Sequence, residues 1–427
     1  LGRPGLTLRT RAVRAERATI PGDDSRNGLS CGAVRSRSSL AILFVIVFVD
    51  LLGFGMVIPV MPLYAEKLGA SEATTGWLST GYSLMQFVFA PIWGRLSDRV
   101  GRRPVLLVSI AMTAVAFALY GVAWSFPVLL ASRLFAGAAT ANIAIAQAYV
   151  ADVTPPEGRA KGMGIIGAAF GLGFVLGPAI GGILTQHALS TPGYAAALLA
   201  AANGVAAYFI LAEPEHHIVP ERRRGRVAAL VEEMGRPGVR RLLLVYFLSV
   251  AAFSAMEATY AFLAKGRYGL SDRHVSWVFA YIGVLVVVVQ GGLVGPLTRR
   301  FGEKPLLALG LALEAVALAA LPFARGTAGL LAATAPLAVG SGLATPAMTA
   351  LLSKASRAED QGGTLGIGQS SAAVGRIVGP LSGTYTFDAS PAYPYLGGAA
   401  LMAVAGIVGL TLRASPPPGI ELERAAE

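Results

Sequence analysis

The chain is poor in charge, cysteine and histidine, and each scarcity removes a class of function. Charged residues make up 14% of the 427 positions, about half of what a soluble domain carries. With 54% hydrophobic residues and a mean hydropathy of +0.61, a soluble core of this size could not enclose the apolar surface. The one cysteine, Cys31, leaves no partner for an intrachain disulfide or a cysteine metal cluster. No apolar run precedes it that would make it a lipid-anchored residue. Of the histidines, His216 and His217 are adjacent in a polar stretch and do not make a ligand pair by themselves. There is no Gly-x-x-x-x-Gly-Lys phosphate loop, no Gly-x-Ser-x-Gly elbow and no His-Glu-x-x-His motif. The expectation is a chain without catalytic centre, metal or cofactor.

What is abundant is apolar sequence in pieces of one length. From residue 40 onward, stretches of about 20 residues alternate with short polar breaks, each able to cross a ~30 Å bilayer core as a helix. Twelve are expected: 40–63, 74–96, 104–123, 126–151, 162–185, 193–212, 241–264, 274–297, 305–323, 327–352, 364–386 and 393–412. They are referred to below as spans 1 to 12. Residues 1–39 read as an irregular arginine-rich tail, 213–240 as the loop dividing the spans six and six, and 413–427 as a second tail. Within the loop, Val227 to Met234 reads as a short amphipathic surface helix or as plain linker.

A net charge of +11 and a pI near 10 would suggest a nucleic-acid partner in a soluble protein. The positions of the charges give a different reading. The breaks after spans 2, 4, 6, 8 and 10 carry eighteen Lys and Arg residues, from Arg95 and Arg99 to Lys354 and Arg357. The six opposite breaks carry five: Lys67, Lys265, Arg267, Arg273 and Arg325. By the positive-inside rule the rich side is cytoplasmic, with both termini inside.

The halves also repeat. Gly94-Arg-Leu-Ser-Asp-Arg-Val-Gly-Arg-Arg-Pro104 returns as Gly295-Pro-Leu-Thr-Arg-Arg-Phe-Gly-Glu-Lys-Pro305. Gly173, Gly177, Pro178 and Gly181 in span 5 return as Gly375, Gly379, Pro380 and Gly383 in span 11. The fold class expected is therefore an all-α integral membrane protein, twelve transmembrane helices in two pseudo-symmetric six-helix bundles, 40–212 and 241–412.

Four segments resemble the major facilitator superfamily, over residues 40 to 412. Gly94 to Arg103, with Asp98, Arg99, Gly101 and Arg102, resembles its loop between helices 2 and 3. Asp50 to Pro62 is similar to the first-helix pattern of drug and tetracycline exporters, and Arg133-Leu-Phe-Ala-Gly137 to the basic fourth-helix motif of proton-coupled members. Ala136 stands in the latter where a glutamine is frequent. Gly167 to Gly182, with Gly171, Gly173, Gly177, Pro178 and Gly181, resembles the fifth-helix motif of antiporters. The resemblance implies a gating role for Asp98, Arg99 and Arg102 at the cytoplasmic rim. It implies export in exchange for protons across the cytoplasmic membrane by a monomeric chain whose partners are a small molecule, protons and the lipid bilayer. A symporter or facilitator, and a non-transporting receptor or assembly factor on the same scaffold, stay open as alternatives.

Charges inside apolar spans are the sharpest clue to the site. Asp50, Arg133, Glu257, Glu314 and Arg376 fall within spans 1, 4, 7, 9 and 11. Each costs ~2.5–3.5 kcal/mol at a helix centre unless it faces a wet cavity or a partner. The resemblance sets spans 1, 4, 7 and 10 around the central cavity. Asp50 and Glu257 are thus expected to share proton coupling and cation recognition, with Arg133 tuning one of them; a purely structural ion pair is the competing reading. Arg376 is either an anion contact or a partner for an acid. Tyr82, Gln86, Asn142, Phe253, Tyr260 and Gln369 are candidates for the substrate wall. The glycines of span 5 are expected to bring helices close at the interface between the bundles.

Overall fold

The computed structural model describes residues 2, 25–153, 159–213, 234–355 and 361–412. The amphipathic segment expected at 227–234 therefore lies almost wholly outside the described residues. Among those described there are fifteen α-helices, and merging the three spans that are broken in the middle leaves twelve successive rods. Span 1 is Ser25–Val57, the 3₁₀ turn Ile58–Val60 and Met61–Lys67; span 2 is Glu72–Val100; span 3 is Arg102–Gly121. Span 4 is Phe126–Ala139 and Asn142–Val153; span 5 is Arg159–Leu184; span 6 is Thr191–Ile210. Span 7 is Pro237–Tyr268; span 8 is Asp272–Val288 and Val294–Phe301 joined by the π segment Val289–Leu293. Span 9 is Glu303–Ala320, span 10 Gly326–Ala355, span 11 Gln361–Ala389 and span 12 Tyr393–Leu410.

Span 1 starts well before residue 40. No proline stands between Ser25 and Ser39 to stop it. Pro59 and Pro62 interrupt it at the other end, where the missing N–H groups favour a 3₁₀ turn over continued α-helix. Ser71 caps span 2 by accepting from the Thr74 N–H at 3.3 Å. Span 2 stops at Gly101, whose φ of 113° suits only glycine, and span 8 stops the same way at Gly302 with φ 79°.

Nine of the described helices are long and apolar enough to cross a membrane by themselves. Of the other three rods, spans 2, 5 and 11, spans 2 and 11 fall short because serine, threonine, glycine and charged residues thin their apolar content. These two helices pack against one another between the halves, so their polar faces meet protein rather than lipid.

Contacts repeat with the sequence. Span 1 packs on 5 and 6 as 7 packs on 11 and 12; span 3 packs on 4 and 6 as 9 packs on 10 and 12. A Cβ on Gly177 would come within 2.7 Å of the Gly55 Cα, and one on Gly181 within 2.4 Å of the Met56 carbonyl oxygen. In the second half a Cβ on Gly379 would come within 2.4 Å of the Ala251 carbonyl oxygen, and one on Gly383 within 2.8 Å of the Ala255 Cα. The span 5 glycines thus press on span 1 inside their own half. Gly173, Gly177 and Gly181 do not serve the interface between the bundles as expected, because Leu51, Gly55 and Met56 of span 1 fill the space beside them; the surroundings of Gly171 lie outside what is described.

The halves meet along spans 2 and 11 and along spans 5 and 8. The ties between them lie at mid-span and at the end away from the arginine-rich breaks. Lys265 pairs with Glu66 at 2.8 Å, Thr384 Oγ1 donates to the Ala73 carbonyl at 3.2 Å, and Thr80 Oγ1 donates to the Ile377 carbonyl at 2.8 Å. Leu63, past the break in span 1, is buried in the core of the second half. At the arginine-rich end a Cβ on Gly94, Gly291, Gly292, Gly295 or Gly366 would meet nothing within 4 Å. Leu96, Val100, Gln369 and Ser370 are exposed there. Among the described residues the bundles thus hold together at mid-span and at one end and part toward the arginine-rich breaks, which makes the space between them a cleft open on that side.

Candidate functional site

Span 4 breaks halfway through its apolar length, and the break organises one side of the site. Thr140 leaves the helix with φ −73° and ψ 102°, and helix resumes at Asn142. In a membrane interior the backbone groups set free must be satisfied by protein. Ser109 Oγ donates to the Ala139 carbonyl at 2.7 Å and accepts from the Ala141 N–H at 3.1 Å. Trp93 Nε1 donates to the Ala138 carbonyl at 2.7 Å. Thr140 Oγ1 donates back to the Ala136 carbonyl at 2.7 Å and accepts from the Tyr82 hydroxyl at 3.2 Å. The first residue after the break, Asn142, is fully buried and donates from Nδ2 to Asp50 Oδ1 at 2.8 Å.

Arg133, on the first half of span 4, is 2% exposed. Its guanidinium lies 4.6 Å from the Tyr82 ring centre and 5.8 Å from that of Phe54. The two rings are 5.2 Å apart. An aromatic pair of this kind can hold a desolvated cation through its negative ring faces. Tyr82 is in turn within electrostatic range of Asp50 and of Arg376 from the other half. It is the point where charges from both bundles converge.

On the second half Glu257 and Arg376 are half-buried and within electrostatic range of each other. Among the described residues, neither makes a hydrogen bond or ion pair with any protein group. The first half thus holds Asp50 by a hydrogen bond and Arg133 against aromatic rings, its Nε without a partner among the described residues, and the second leaves its pair half-buried.

Of the wall candidates, Gln86 and Phe253 are half-buried and Gln369 is exposed toward the cleft end. Asn142 and Tyr260 are at 0% exposure and lie behind the wall. Asn142 holds Asp50, and the Tyr260 hydroxyl shares a hydrogen bond with Thr334 at 3.1 Å inside the second bundle. Glu314 faces span 10, where a Cβ on Gly340 would meet its Cγ at 2.8 Å. It takes no part in the central group. Phe54, Ser109, Trp93 and Thr140 were not singled out from the sequence. The run Thr140-Ala-Asn142 inside an apolar span was the available signal for the break.

At the rim, Arg102 donates to Asp98 at 2.6 Å and to Asp152 at 2.9 Å, and to Ser97 Oγ at 2.7 Å. Glu213 accepts from the backbone N–H groups of Arg102 and Arg103, at 2.6 and 3.0 Å, and so caps span 3 at its positive end. Among the described residues Asp98 pairs within its own motif and bundle, one turn from Arg102, rather than across the interface. That is what a splayed rim requires of it.

A family model described as Major Facilitator Superfamily matches residues 43–300 and 242–427. The chain is 33% identical over 364 residues to the class C tetracycline resistance protein of Escherichia coli, covering 84% of this chain and 91% of that one. It is 28% identical over 377 residues to multidrug resistance protein 2 of Bacillus subtilis, covering 87% and 94%. The crystal structure of the human organic anion transporter MFSD10 superposes with a TM-score of 0.68 at 25% identity, covering 88% and 99%. With its internal repeat, its paired bundles and these matches over nearly its full span, the chain belongs to the major facilitator superfamily.

Proposed function

We propose that this transporter exports amphiphilic small molecules across the cytoplasmic membrane in exchange for protons, by rocking its two bundles about the central charges. The observation that carries the reading is the convergence of Asp50, Arg133 and Arg376 around Tyr82, with Glu257 beside Arg376, at the base of a cleft open at one end. Buried charges of both signs at the joint of two rigid bundles are costly unless they are used. The relatives named for tetracycline and multidrug resistance support drugs as the substrate class. The arginine-rich breaks favour a cytoplasmic cleft and cytoplasmic termini, so the form described here is the one that loads from the cell interior.

Asp50 is the proton carrier in this reading. It is held on one oxygen by Asn142 and is almost buried, so a change of access at the cleft changes its contact with water. Glu257 and Arg376, unsatisfied by the protein, meet the polar groups of the substrate. Aromatic and aliphatic surface between them takes its apolar part. The chain works as a monomer, each copy holding a complete site.

The test uses inside-out vesicles with an acid interior and a fluorescent pH probe. Adding a tetracycline, a lipophilic cation or a dye should release protons only when the protein is present. Accumulation of those compounds that is indifferent to the pH gradient would point to a facilitator instead.

A further inference from the structure

The amide that holds Asp50 is only half used. Asn142 Nδ2 donates to Asp50 Oδ1 at 2.8 Å, while Asn142 Oδ1 is buried and, among the described residues, has no hydrogen-bond partner. Asn142 as a whole is at 0% exposure, and Asp50 is 8% exposed. An orphaned buried acceptor loses its hydration without replacement, and a folded interior leaves few of them. An ionised carboxylate cannot relieve this one, because it is acceptor only. A protonated carboxyl can. Its O–H would donate to Asn142 Oδ1 while its other oxygen keeps the bond from Nδ2, closing a ring of two hydrogen bonds between acid and amide.

We propose that Asn142 is a positioning residue specific for the protonated form of Asp50, and that the acid–amide pair is complete only when Asp50 carries its proton. This rests on Asp50 as the proton carrier. The neutral acid also tolerates a half-turn of the amide, since the acid can both give and accept; the ionised acid accepts only the orientation that presents Nδ2. The proton is taken from, and returned to, water in the cleft, and no other bond changes. Because Asn142 is the first residue after the break in span 4, the state of Asp50 is registered where that helix is already discontinuous.

Among the described residues, the charged and titratable neighbours supply no donor to this acceptor. From span 2, Tyr82 senses Asp50 but spends its hydroxyl on Thr140; from span 4, Arg133 lies against the Tyr82 ring. Arg376 reaches the group from span 11 only through Tyr82. Span 5 has no titratable residue between 162 and 184, and in span 6 Tyr194 and Tyr208 stand near the two ends. In span 6, Asn203 is already bonded to the Ile46 carbonyl.

Infrared difference spectra of the full chain in lipid vesicles, taken between acid and alkaline pH, read the carboxyl carbonyl directly. The band that disappears in Asp50→Asn belongs to protonated Asp50. In Asn142→Ala that band should move to higher frequency, because the O–H has lost its acceptor. Asn142→Ser, which keeps a smaller polar group, provides a second reading if the alanine variant does not assemble, and should also shift the band. An Asp50-dependent band that stays in place in both variants overturns the role of Asn142 and leaves the proton carrier standing. The absence of any Asp50-dependent band overturns the proton carrier itself, and the pair with it.

Discussion

The two halves share a backbone plan and differ in what they do with charge. Glycines at corresponding positions press span 5 on span 1 and span 11 on span 7. Yet Asp50 has Ala251 or Ala252 at the matching place, Arg133 has Thr334 or Ala335, and Glu257 has Gly55 or Met56. Span 4 is broken at Thr140, while span 10 runs through Pro336 and Pro346 without a break. At the centre, the first half buries Asp50 against Asn142 and Arg133 against the Tyr82 and Phe54 rings, whereas the second leaves Glu257 and Arg376 half-buried with, among the described residues, no hydrogen bond from the protein. Symmetry in the glycines allows two equivalent rigid bodies to rock. In the proposed mechanism, asymmetry in the charges lets one body hold a proton while the other meets the cargo.

The largest effect should come from breaking what the halves share. Gly177→Leu and Gly379→Leu each drive a side chain into backbone, toward Gly55 and Ala251 respectively. Overpacking costs ~1–3 kcal/mol in ordinary cores and more where backbone cannot yield. Both variants should lose most monodisperse protein in detergent, to a similar degree. Loss in one half alone would mean that the repeat is not structurally equivalent.

The next effect separates the halves. Asp50→Asn should abolish proton release on drug addition while drug binding persists. Glu257→Gln should leave proton release measurable at saturating drug and weaken cationic drugs about tenfold, or ~1.4 kcal/mol. Vesicle assays paired with binding titrations read both. If the two variants have the same phenotype, the division of labour is wrong. If both retain full pH-driven transport, neither acid couples.

Much of this was legible before any coordinates. Period, length and charge alternation gave the rods, because a bilayer forces long apolar helices and sorts arginine by side. The glycine and proline repeat gave the two bundles. Partner choice was not legible. Gly177 faces span 1 rather than the other bundle because of the rotation of span 5 about its axis, which spacing alone leaves undetermined. Asn142 looked like cavity wall because polar residues in apolar spans usually face water, whereas here one buried polar group satisfies another. The break in span 4 depends on Ser109, Trp93 and Thr140 arriving together from three helices, which no local pattern encodes.

A smaller effect concerns the two ends of the cleft. Lys265 joins Glu66 across the halves and Asp272 within its own, with side chains 32%, 48% and 38% exposed. Partly exposed pairs contribute ~0.2–1 kcal/mol each, enough to shift an equilibrium a few-fold but not to lock it. After Cys31→Ser, spin labels placed across this end should report a modest gain in the separated form when Lys265→Met is introduced. No change would assign closure to the packing of Thr384 and Pro380 on Gly76 instead.

The smallest effect tests a reversal of sign at the arginine-rich rim. In the first half Arg102 at the start of span 3 pairs with Asp152 at the end of span 4. In the second half the same places hold Glu303 and Lys354, which also pair. Arg102 is 13% exposed and engages Asp98, Asp152 and Ser97, while Lys354 is 63% exposed and engages Glu303. A surface pair loses most of its Coulomb energy to water and salt, whereas a partly buried arginine with several acceptors loses less. Double-mutant cycles on thermal stability should therefore give a larger coupling for Arg102 with Asp152, about 1 kcal/mol, than for Lys354 with Glu303, at or below ~0.5 kcal/mol. Added salt should erase the second before the first. Equal couplings would mean that the rim, unlike the centre, treats the two halves alike.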